Sequence, residues 1–106
     1  METIYNLAKK INSQIISAKP YEPFYVSNDG NDVIYTGEMN NNQIEVFFAT
    51  VINGEPTAAC VHYRYKDAKE TIGIAAIVKH FYEDAVDTVK KLNDEYLVKT
   101  RRLALF

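Results

Sequence analysis

The stretch TAACVHYRYK, residues 57–66, carries the only cysteine of the chain and one of its two histidines, in a run that alternates like a β-strand. Cys60 and His62, with Glu45 from a neighbouring run, are the residue types of a nucleophile, its base and an orienting carboxylate. A thiol needs an adjacent imidazole or a positive field to become the reactive thiolate. The same three side chains are also zinc donors. Two observations weigh against chemistry here. Alternate residues of a strand lie roughly 7 Å apart at Cα, so contact depends on rotamers. No oxyanion hole, strained turn or cleft loop is legible, no second Cys or His at a ligand spacing accompanies the three, and His80 belongs to a different element. The sequence therefore predicts a packing role for Cys60, with no catalytic residue, no metal and no cofactor.

The elements that must position these residues follow from periodicity. Ile4, Leu7, Ala8, Ile11, Ile15 and Ala18 recur at helical spacing, which predicts an amphipathic helix over residues 3–18 that stops before Pro20. The turn signals SNDGND, MNNNQ and INGEP then separate runs rich in Val, Ile, Tyr and Phe, which predicts strands at about 24–27, 32–39, 43–52 and 57–65. From Asp67 the period becomes helical again. Asp67 and Glu70 have capping-box spacing, and Ile74, Val78, Phe81, Ala85, Val89, Leu92 and Tyr96 form a stripe. An unbroken helix to Arg102 would be roughly 50 Å long, well past the roughly 30 Å of the longest strand, so a break is expected near Phe81–Glu83. The rival reading makes TIGIAAIV a fifth strand. The resulting fold class is α+β: an N-terminal helix, a four-stranded antiparallel meander and a long or broken C-terminal helical region, in one domain over residues 1–106.

Register follows from the turns. If Asp29-Gly30 and Asn53-Gly54 each form a two-residue turn, Val26 faces Val33 and Phe48 faces Ala59. An even-numbered loop at MNNNQ then gathers Phe24, Val26, Val33, Tyr35, Met39, Ile44, Val46, Phe48, Ile52, Ala59, Val61 and Tyr63 on the core face. The second face receives the row Tyr25, Ile34, Phe47 and Cys60, flanked by Thr36, Glu45 and His62 and then by Glu38, Gln43 and Arg64. Pro56, whose missing N–H would point away from strand 43–52, marks strand 57–65 as an edge.

Composition bounds the partners. With 12 basic and 14 acidic residues the formal charge is -2, without the basic excess that advertises phosphate binding. A lone thiol, no signal-like stretch near Met1 and no bilayer-length apolar run favour a reducing, cytoplasmic setting and no membrane partner. The leading expectation is a small non-enzymatic protein-binding module, a regulator or inhibitor of a larger enzyme, that uses its edge strand and aromatic surface. Its expected partner-binding residues are Tyr25, Phe47, His62, Tyr63, Arg64, Tyr65 and Lys66. The alternative is a single-stranded nucleic-acid-binding protein, with Tyr25 and Phe47 stacking on bases and Arg64 and Lys66 meeting phosphates. Glu38 and Glu45 oppose that alternative, and a homodimer is left open.

Overall fold

The computed structural model describes the backbone of residues 3–104 and the side chains of residues 3–95. Helix α1 (Ile4–Ser17) begins where the Thr3 hydroxyl accepts the Asn6 N–H, and its Ala8, Ile11 and Ile15 are buried. Strands β1 (Pro23–Val26), β2 (Val33–Asn40), β3 (Gln43–Ile52) and β4 (Glu55–Arg64) follow as an antiparallel sheet in the order β1-β2-β3-β4, with β4 at an edge. The chain closes with helices α2 (Ala68–Glu83) and α3 (Ala85–Ala104). The fold is thus α+β, TIGIAAIV lies within α2, and the fifth-strand reading is excluded. Tyr96 of the expected stripe lies outside the described side chains.

The break between the last two helices falls at Asp84, one residue past the expected span. Its N–H still closes α2 onto the His80 carbonyl, while its carboxylate accepts the Asp87 N–H and so caps α3. Across that corner His80 Nε2 lies 2.9 Å from Asp87 Oδ2, and Lys91 Nζ lies 3.2 Å from the same oxygen. His80 is a clasp between helices.

The core joins α1, α2, the start of α3 with Ala85 and Val89, and one face of the sheet. Ile44, Val46 and Phe48 of β3 are fully buried, as are Ile15, Val78 and Phe81 to within 1%. Phe48 meets Phe81 with ring centroids 5.4 Å apart, and the Tyr63 hydroxyl donates to Asn12 Oδ1 of α1 at 2.7 Å. These contacts confirm the expected core face of β3 and β4, except that Ile52 and Val61 are only half-buried.

The core face expected for β1 and β2 is wrong for Val26, Val33 and Tyr35, while Phe24 does pack against the core. Val26 does pair with Val33, and Asn40 with Gln43. Between them, however, Gly37 and Glu38 together oppose the single residue Glu45, a β-bulge that moves the residues from Thr36 back to Tyr25 to the opposite face. Ile34 and Thr36 therefore enter the core at 0% and 1% exposure, Tyr35 stands on the second face against Phe47, and Val26 is left 52% exposed. Met39, beyond the bulge, is also exposed. Phe24 is a second extra residue, between the pairs Pro23–Tyr35 and Tyr25–Ile34.

Candidate functional site

The β3–β4 ladder is uninterrupted from Ile52–Glu55 to Gln43–Arg64. Its turn has Asn53 at φ 52 and Gly54 at φ 79, the left-handed pair of a two-residue hairpin turn that Asn-Gly adopts readily. Such a turn makes its flanking residues a hydrogen-bonded pair, and the pairs alternate from there. Glu45 and His62 consequently form a non-hydrogen-bonded pair, in which side chains stand closest. Cys60 lies two residues along on the same face.

Glu45, Cys60 and His62 each offer one donor atom, and these atoms all lie within 4.8 Å of one another. His62 Nε2 is 3.0 Å from Glu45 Oε2, while Glu45 Oε1 accepts the Glu38 N–H, also at 3.0 Å. The bulge thus holds one carboxylate oxygen and leaves the other facing His62. Gly37 makes this approach feasible, because a Cβ there would lie 2.6 Å from Phe47 Cε2 and 2.9 Å from Glu45 Oε1. The three side chains border a cavity of about 350 Å³ whose wall is completed by Phe47, Ala58 and, from α3, Leu92 and Asn93. Burial, reinforced by the Glu45 charge, pushes the Cys60 thiol from its ordinary 9.0 up to about 11. The thiol is therefore protonated at neutral pH, the reverse of what a nucleophile needs.

The edge of β4 is the second feature. By the same alternation Pro56, Ala58, Cys60, His62 and Arg64 turn their backbone groups outward. Proline has no N–H to present, and the Arg64 N–H is taken by Glu70 Oε2. Arg64 also ion-pairs with that carboxylate at 3.3 Å and with Asp67 at 3.6 Å. Glu70 therefore does not complete the expected capping box; Asp67 caps α2 alone, accepting the Lys69 and Glu70 N–H groups. Between these two ends, the outward backbone groups of Ala58, Cys60 and His62 have no backbone partner among the described residues.

The expected partner-binding residues divide. Tyr25 turns to the core side, its ring 6.3 Å from Phe81 and 4.6 Å from Tyr82, and Tyr63 is buried against α1. Phe47 has one ring face stacked on Tyr35 at 4.9 Å. His62 and Arg64 are exposed, Tyr65 is half-buried with its hydroxyl donating to the Asn41 carbonyl, and exposed Lys66 lies over the Tyr65 ring. Only His62, Arg64, Tyr65 and Lys66 of the seven thus gather along one end of β4. Sequence reasoning missed Gly37 and the roles of Glu38 and Glu70 at these sites. A glycine inside a strand pattern is a bulge signal, so Gly37 was legible; the reach of Glu70 to Arg64 was not.

Searches against protein families, curated proteins and solved structures return no match for this chain. Among the described residues, no helix is long and apolar enough to cross a membrane.

Proposed function

We propose that this chain is a small non-enzymatic protein-binding module, a regulator or inhibitor, that takes an extended segment of its partner along the outer edge of β4. One observation carries the reading. The edge is blocked by Pro56 at one end and by the Glu70 clasp on Arg64 at the other, with the backbone between them unpaired among the described residues. An unpaired strand edge is a template for a further strand, whose main-chain hydrogen bonds supply affinity while alternate side chains supply specificity. His62, Arg64, Tyr65 and Lys66 would contribute that specificity. The nucleic-acid alternative is weakened because Tyr25 is packed against Phe81 and Tyr82, and one face of Phe47 is taken by Tyr35.

Ala58→Pro tests the reading, since it removes an outward N–H without touching a bond to β3. The variant is expected to unfold at the wild-type temperature yet lose the protein partner that the wild type retains from source-cell lysate. An Arg64→Ala, Tyr65→Ala double variant should weaken that complex by about 2 kcal/mol or more, the scale of an interface hot spot. Undiminished capture by Ala58→Pro would refute edge pairing. Tight, salt-sensitive binding of a single-stranded oligonucleotide would favour the alternative.

A further inference from the structure

The geometry points to a binding site for a divalent cation of the zinc class on the second face of the sheet, with Glu45, Cys60 and His62 as its protein ligands. This goes beyond the protein-binding reading and does not depend on it. The donors are one sulfur, one imidazole nitrogen and one carboxylate oxygen, a set that suits zinc rather than magnesium or calcium, which take oxygen ligands. Their positions are set by adjacent strands of an unbroken ladder and not by a loop. In a tetrahedral zinc site, with metal–ligand bonds of about 2.0–2.3 Å, donors stand roughly 3.3–3.8 Å apart. His62 Nε2 and Glu45 Oε2 touch directly at 3.0 Å, a contact the cation would replace by a small separation, and no pair of the three donors exceeds 4.8 Å.

A second, independent feature supports the assignment. Metal-binding carboxylates are held by hydrogen bonds from groups that do not touch the metal. Here the bulge supplies one, the Glu38 N–H on Glu45 Oε1, which leaves Oε2 aimed at the cluster. The cavity beside Leu92 and Asn93 leaves room for a water as fourth ligand. Binding displaces the thiol proton to solvent, and thiolate and carboxylate together neutralise the two charges of the cation.

Metal-free protein titrated with Co²⁺ should take up one equivalent with thiolate-to-cobalt charge-transfer absorption in the near ultraviolet, and Zn²⁺ should abolish that absorption. Because the chain has a single cysteine, the band reports this site alone. Cys60→Ser should remove the band, and His62→Ala and Glu45→Gln should each weaken Co²⁺ binding tenfold or more, with unchanged far-ultraviolet circular dichroism. A readout free of variants runs beside these: one equivalent of Zn²⁺ should slow alkylation of the wild-type thiol at least tenfold. Absence of the charge-transfer band, affinity unchanged in His62→Ala, or an alkylation rate indifferent to Zn²⁺ would each overturn the site.

Discussion

The β3–β4 hairpin keeps its pairing from Ile52–Glu55 to Gln43–Arg64 without interruption, whereas the ladders that join β1 to β2 and β2 to β3 take up an extra residue at Phe24 and another at Gly37–Glu38. Both regions alternate apolar and polar residues, and both are bounded by Asn- and Gly-containing turns. In the first, counting from Asn53-Gly54 assigns each residue to its face. In the second, counting from Asn41-Asn42 holds for Met39 and fails for the residues from Thr36 back to Tyr25. A turn sets register only as far as the ladder is unbroken. The interruption coincides with the candidate site, since the irregular segment is what delivers the Glu38 N–H to Glu45.

The widest separation between the two regions is expected from buried charge. Ile34→Asp and Val46→Asp should each abolish cooperative urea unfolding, a loss of more than about 4 kcal/mol, because both side chains are fully buried. Val26→Asp should change stability by less than about 0.5 kcal/mol. An uninterrupted register would make Val26→Asp the damaging change, so the trio distinguishes the two arrangements directly.

Glycine substitutions sharpen the comparison at the next scale. Gly37→Ala should cost about 1–3 kcal/mol, since its Cβ would have to displace the Phe47 ring and the Glu45 carboxylate. Gly54→Ala should cost about 1–2 kcal/mol from its left-handed backbone alone, with open space around the new methyl. Only the first should also disturb the Glu45–His62 contact, visible as a change in the His62 imidazole chemical shifts by NMR. Identical His62 behaviour in both variants would detach the bulge from the site.

The smallest effects concern the Cys60 thiol. With its ionisation moved from 9.0 to about 11, the folded protein should react with iodoacetamide roughly tenfold to a hundredfold more slowly than a free cysteine at mildly alkaline pH. Linkage fixes the sign of the accompanying stability change. The unfolded thiol loses its proton near 9.0 while the folded one retains it to about 11, so stability should fall as pH rises across that window. Cys60→Ser should lack this part of the decline, which comparison of alkaline unfolding curves would show.

The sequence by itself determined the order of elements, the Asp67 cap, the edge position of β4 and the shared face of Glu45, Cys60 and His62. Each depends on information carried by neighbouring residues: helical or strand period, a capping side chain, an Asn-Gly turn, a proline without its N–H. Tertiary structure alone decided that Ile34 is core while Val26 is surface, that Glu70 clasps Arg64, and that Leu92 and Asn93 of α3 stand beside Cys60. Whether a strand accepts an extra residue depends on what must pack above and below it. At Gly37 the deciding neighbours are the Phe47 ring and the Glu45 carboxylate, which come from the next strand and meet the glycine only once the sheet has formed.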